Sequence, residues 1–298
     1  MLRSPRPPLY DPRVLWVSRN LLPGRRTVAA WPRTAPLACP NLSAPNLLEV
    51  MENGLGATTT LEYRPSTQWD NTGGDGITDL PFNLWTVTRI ERDDGMCDAA
   101  GANCLGVTGA AHTVATTYRY QDGRYDPTGR EFRGFGAVEA RDPDPGLPLL
   151  HQSQFTFFWQ GAALAGKVHI TITSSVSGET MTAWLVVGVN TWQCVDPTSL
   201  TAIDCPPTFT THQPRVIVRL TEVDRTNLGA SSSHTAVTQN LAFDAYGNIT
   251  QTSRGGDNTT PLHTYTDYAY NTTAYIVDKP QHVLVRDGSG PTAPVLEE

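Results

Sequence analysis

Lysine is nearly absent from this chain of 298 residues, occurring only at Lys167 and Lys279, so its basic charge is arginine; that bias reads as genome composition rather than chemistry. Long apolar runs are missing too. The longest, Ala183 to Val189, is strand-length and far below the roughly 18–20 residues that span a bilayer, so no membrane span is expected. The N-terminus has neither a continuous apolar core nor a small-residue cleavage site, so no signal peptide is visible. Catalytic signatures are also lacking. There is no GxSxG, HExxH or P-loop, and the Gly54/Gly56 and Gly134/Gly136 pairs lack the third glycine of a dinucleotide fingerprint. His112, His151, His169, His212, His234, His263 and His282 are scattered without ligand spacing and read as surface or strand residues. No enzymatic activity is expected. The net charge of -7 argues against nucleic acid or an anionic membrane as the main partner. No long helix is expected either.

What remains is alternation and punctuation. Val114, Thr116, Tyr118 and Tyr120 share one side of an alternating segment, as do Val168, Ile170 and Ile172, then Val216, Val218 and Leu220, then Val283 and Val285. Turn clusters separate them, including Asp93-Asp94-Gly95, Asp142 to Gly146, Gly255 to Asn258 and Asp287-Gly288. Short antiparallel strands at intervals of about 8–12 residues are expected.

Two turns share one pattern: Tyr125-Asp126-Pro127-Thr128-Gly129-Arg130 and Phe243-Asp244-Ala245-Tyr246-Gly247-Asn248. An Asp side chain can accept the backbone N–H two residues on. Glycine three residues after it supplies the positive φ that closes a hairpin, and the preceding aromatic can pack onto the returning strand. In Glu131-Phe132-Arg133-Gly134-Phe135-Gly136, which follows the first turn, the glycines are expected to allow close backbone approach. Phe132 and Phe135 are expected to pack beneath, and Arg133 to pair with Glu131 across strands.

The run from Asp126 to Glu139 resembles the REFRGFG-x-VE signature of Rhs/YD-repeat toxins, and more narrowly the B component of tripartite insecticidal toxin complexes. Asn46-Leu47-Leu48, Asn53 to Gly56, Thr58 to Thr67, Leu80-Pro81-Phe82, Phe243 to Thr250 and Val285 to Gly288 follow the same family in order, so the resemblance spans roughly residues 45–290. It implies hairpins wound into part of a hollow shell that sequesters a toxic polypeptide. The implied partners are other shell segments, a C-component or cargo toxin and a translocation channel, and the implied location is extracellular. At this length the chain is expected to supply part of such a shell. The family's aspartyl self-cleavage motif has no match here.

Residues 1–44 form a basic, proline-rich arm expected to be disordered. Residues 45–150 are expected to form the toxin-B-like region and 151–298 a hairpin region. Cys97 with Cys104 and Cys194 with Cys205 each bracket a loop, which suits disulfides and an oxidising destination. Unpaired thiols and a four-thiolate zinc site remain the alternatives, although neither pair has CxxC spacing. Asn71 to Leu80 resembles the calcium loop of FG-GAP repeats with two donors weakened or missing. If any cation binds, Asp75 and Asp79 carry it; otherwise no cofactor is expected. The fold expected is all-β, antiparallel hairpins in a curved shell or barrel-like wall. A different function, a carbohydrate-binding adhesin-like module, would need Trp159, Trp184 and Trp192 together on one exposed face.

Overall fold

In the computed structural model the described residues are 46–73, 76–95, 113–143, 150–177, 180–206, 216–229, 232–288 and 292–297. Cys39, Cys97, Cys104, Asp75 and the N-terminal arm lie outside them. The strands are β1 (Val50–Glu52), β2 (Thr58–Pro65), β3 (Trp85–Asp93), β4 (Thr113–Asp126), β5 (Glu131–Pro143), β6 (Leu150–Phe158), β7 (Val168–Ser177) and β8 (Thr180–Val195). They continue as β9 (Ala202–Ile203), β10 (Ile217–Leu228), β11 (Ser233–Phe243), β12 (Ile249–Gly256), β13 (Leu262–Asn271), β14 (Ile276–Asp287) and β15 (Val295–Glu297). The only helical element among the described residues is a 3-10 turn, Ser66–Gln68.

The chain is all-β and antiparallel, as expected. Each strand hydrogen-bonds its sequence neighbour in one open 15-stranded sheet, except that β9 stands off the path as a flap on β8. β5 pairs β6 across the stretch around residue 150, from Ala137↔Phe157 to Pro143↔His151, so one sheet serves both halves of the chain. The strands are longer than the expected short ones, β8 running to 16 residues. Turns are marked by glycine and proline clusters, but single residues such as Gly123, Gly136, Gly188 and Pro280 also fall inside strands, so such residues do not fix where a strand ends.

Residues 66–73 and 76–84 leave the sheet between β2 and β3 and fold back onto β4. Asn71, 5% exposed, holds them there. Its Nδ2 donates to the Ser66 and Trp69 carbonyls (2.8 and 3.1 Å), and its Oδ1 accepts the Gly123 N–H at 2.8 Å. Trp69 contacts Tyr120, whose hydroxyl donates to the Val87 carbonyl at 2.8 Å. Burial, helped by Tyr118, pushes that hydroxyl's pKa up to about 12.

Candidate functional site: an ion-paired face of the sheet

The two Asp turns are hairpin turns, built differently in detail. In the first, Asp126 Oδ1 accepts the Thr128 N–H at 2.9 Å, as the spacing predicts. The left-handed residue is however Arg130 (φ 51°), not Gly129. Gly129 is needed for space instead, since a Cβ there would meet Asp126 Oδ2 at 3.0 Å and Arg133 Nη2 at 3.2 Å. In the second turn Gly247 does supply the positive φ (91°). Asp244 Oδ1 accepts from the N–H groups of Tyr246 (2.9 Å) and Asn248 (2.8 Å), while Oδ2 accepts from Asn248 Nδ2 and the Tyr270 hydroxyl, both at 2.8 Å. Partial burial pushes the Asp244 carboxyl up, but these donors outweigh it and hold its pKa below the usual range. A Cβ on Gly247 meets no atom within 4 Å, so only its backbone conformation resists substitution. Gly247→Ala is expected to cost about 1 kcal/mol and Gly247→Asn less, read from urea midpoints.

Arg133 is buried, its side chain 3% exposed, and pairs with Asp126 across the hairpin at 2.8 Å. Its Glu131 contact, also 2.8 Å, lies along the same strand and not across strands as expected, because residues two apart share a face. Gly134 (φ 85°) has open space where its Cβ would be, so it serves the backbone angle; Gly136 is the close approach, with Asp122 Cβ 3.0 Å from its own Cβ position. Tyr125 pairs Phe132 in register but packs edge-on against Phe82, and Phe132 packs on Phe135. The Arg133 guanidinium, with the N–H groups of Gly129 and Thr128, holds the Asp126 carboxyl below the ordinary range. A lowered folded-state pKa gives stability that is present above the unfolded value of about 3.9 and is lost as pH falls through the folded one. Arg133→Met is expected to raise the Asp126 pKa part of the way to an ordinary carboxylate value, the Gly129 and Thr128 N–H groups still holding it down, and to raise the pH of acid unfolding, followed by NMR titration and circular dichroism.

Register shows what the sheet presents. Partners across strands share a face, so Glu62↔Arg89↔Thr117↔Arg141↔Ser153↔Ser174 is one row spanning β2 to β7. Beside it, Arg119↔Glu139↔Phe155↔Ile172↔Val187 runs from β4 to β8. A third row on the same face, Thr191↔Glu222↔Gln239↔Ser253↔His263↔Arg286, crosses β8 to β14. The face is therefore polar over most of the sheet, with an apolar patch at its centre. Arg89 bonds Glu62 at 3.0 Å and also pairs with Glu91. Arg141 Nη2 bonds Glu139 Oε1 at 2.8 Å, and Ser153 Oγ donates to the same oxygen at 2.9 Å. Glu139 is 1% exposed and Ser153 fully buried. Sequence reasoning missed these groups. The available signal was charge at spacing two, Arg89/Glu91 and Glu139/Arg141, which a strand puts on one face.

Cys194 and Cys205 form a disulfide, with Cα atoms 5.1 Å apart. It closes the loop that carries β9, and Pro206 accepts the Ala163 N–H at 3.2 Å. The tryptophan platform is not assembled. Ser174↔Trp184 lies on the ion-paired face, whereas a bulge in β8 leaves Trp192, one residue from Thr191, on the opposite one. Trp159 stacks on His169 at 4.2 Å, and Trp192 Nε1 donates to the Val168 carbonyl at 2.8 Å. In the loop proposed for calcium, the Asp79 N–H donates to Asn71 O and its carbonyl accepts from Tyr125 N–H, at 2.7 and 2.9 Å. The Asn71 oxygen is already engaged by Gly123, and no group of three or more metal-binding side chains gathers among the described residues.

Residues 34–148 match the family model for the insecticide toxin TcdB middle/N-terminal region. A crystal structure of TcdB2-TccC3-Cdc42 is similar with a TM-score of 0.60 and 16% identity, over 80% of this chain and 15% of that one. A structure of the Photorhabdus luminescens Tc holotoxin pore is similar with a TM-score of 0.57 and 15% identity, over 80% and 14%. At such identities the likeness is one of fold, and the chain spans about 15% of the length of the first of these structures. The resemblance to the middle region of a toxin-complex B component, read from the sequence, is met by both comparisons. No curated protein sequence matches the chain.

Proposed function

We propose that this chain is a non-catalytic stretch of wall in a secreted toxin-complex shell, with its ion-paired face turned toward an enclosed toxic polypeptide. The observation that carries the reading is the fold likeness, which extends over 80% of the chain and beyond the segment the family model matches. An open sheet supports it, because such a sheet leaves edges that further strands must cover. Among the described residues β15 pairs only Val285 and Arg286 of β14, leaving most of that strand's outer edge for a neighbouring shell segment. The face itself suits confinement. Paired charges offer an unfolded chain little apolar surface to stick to, so cargo would be held without being bound fast. The partners are other shell segments, a C-component or cargo toxin, and a translocation channel. The disulfide fits an extracellular destination.

The test is size-exclusion chromatography with light scattering of the purified chain, alone and co-expressed with a C-component. A defined complex of higher mass is expected. A monodisperse chain that ignores the partner at micromolar concentration would contradict the reading.

A further inference from the structure

On or beside the ion-paired face, Arg89 pairs with Glu62 and Glu91, Arg133 with Asp126 and Glu131, and Arg141 with Glu139, while Arg286 donates to the Ala293 carbonyl at 2.6 Å. Arg219 has no such partner among the described residues. It is partly buried on β10, its guanidinium lies 4.7 Å over the Phe243 ring, and its Nε is buried with no hydrogen-bond partner. Leaving a buried N–H of a cation unmet is costly, and an arginine is satisfied best by an oxyanion. In front of it lies an open groove of about 420 Å³, lined by Thr191, Gln193, Arg219, Glu222, Gln239 and Phe243 among others.

The backbone places a second charge in that groove. Residues three apart on a regular strand face opposite ways, but a bulge between Leu220 and Glu222 brings Arg219 and Glu222 to the same face, opposite Gln193 and Thr191. Glu222 Oε2 accepts from Gln239 Nε2 at 2.7 Å, and a carboxylate has further acceptor sites to offer. The groove thus presents an unpaired cation beside an anion that can still accept. A free dianion such as phosphate would meet repulsion from Glu222. A single carboxylate on a peptide meets less repulsion, and the peptide's own N–H groups can donate to Glu222 and offset it.

We propose that Arg219 anchors a carboxylate-binding groove that takes an aspartate or glutamate side chain of an extended polypeptide, with Glu222 receiving that segment's backbone N–H. The inference rests on the enclosing-wall reading for the identity of the polypeptide; the groove chemistry stands on its own geometry.

The experiment is isothermal titration of the full chain with an acetylated, amidated heptapeptide bearing one central aspartate. The asparagine analogue and sodium phosphate are titrated at the same ionic strength. The aspartate peptide is expected to bind, with the asparagine analogue and the Arg219→Gln protein each weakening it at least about tenfold. Arg219→Lys, which keeps the charge but not the fork, is expected to lie between, and thermal melting checks that both variants fold. Equal binding of the two peptides, unchanged binding to Arg219→Gln, or phosphate heat without peptide heat overturns the proposal. Peptide binding without assembly with a C-component would remove the wall reading and leave the groove; assembly without peptide binding would remove only the groove.

Discussion

Replacing Glu139 with alanine is expected to lower the unfolding free energy by about 3–5 kcal/mol, the range for removing one partner from a buried ion pair. Glu139 is 1% exposed and its partner Arg141 only 12% exposed at the side chain, so little water can replace the lost carboxylate. Alanine would leave Arg141 without the oxygen that takes both its Nε (3.2 Å) and Nη2 (2.8 Å), and Ser153 without its 2.9 Å acceptor. That penalty belongs to the groups left behind and does not measure the pair's net worth. Two companion variants separate the terms. Glu139→Gln keeps an acceptor for Arg141 and Ser153, and its amide can replace the Oε2 that has no partner, so about 1 kcal/mol is expected. Glu139→Leu with Arg141→Leu removes both charges together and is expected to come close to the parent. Urea unfolding checks all three, and a Glu139→Ala protein as stable as the parent would refute the pairing.

Reduction of the Cys194–Cys205 disulfide, or serine at both positions, is expected to cost about 2–3 kcal/mol. The loop it closes has a sequence separation of 11, short enough that the chain-entropy gain is modest. Local packing adds to it, because Cys194 and Val195 are 0% and 1% exposed and the flap β9 pairs with them. The loss should concentrate there. Hydrogen exchange is expected to rise in residues 194–206 and at Ala163, whose N–H donates to Pro206, while β4 to β6 stay protected. Calorimetry with and without reductant reads the global part. A transition that does not move would show that the loop is held by its other contacts, chief among them Asp196, which accepts from Thr198 and Ser199.

The fold class was legible because hairpin chemistry is local. The Asp turns at Asp126 and Asp244 announce themselves through one side chain and its next few N–H groups. Alternation in segments such as 168–172 gives strand direction without any knowledge of partners. What sequence does not carry is register across bulges. The bulge between Leu220 and Glu222 decides that Arg219 and Glu222 share a groove, and the one between Ser174 and Thr173 separates Trp184 from Trp192. A single inserted residue reverses every side chain beyond it, and nothing in its composition marks the place. Arg130 illustrates the same limit at a turn. It takes the positive φ assigned to Gly129, because the glycine is used for the approach of Asp126 and Arg133.

The central claim is that the ion-paired face lines the enclosed side of a wall, and labelling of two adjacent strand positions tests it most directly. Gln239 and Thr238 pair with Glu222 and Val223, so they stand on opposite faces of one strand. Gln239→Cys and Thr238→Cys would each be made in a chain with serine at Cys39, Cys97 and Cys104, and treated with a polyethylene-glycol maleimide too large to enter a closed shell. Alone, both proteins should react at similar rates. Assembled with a C-component, Gln239→Cys should become protected while Thr238→Cys keeps reacting. Protection of Thr238→Cys with Gln239→Cys left reactive would put the ion-paired face outside and contradict the account.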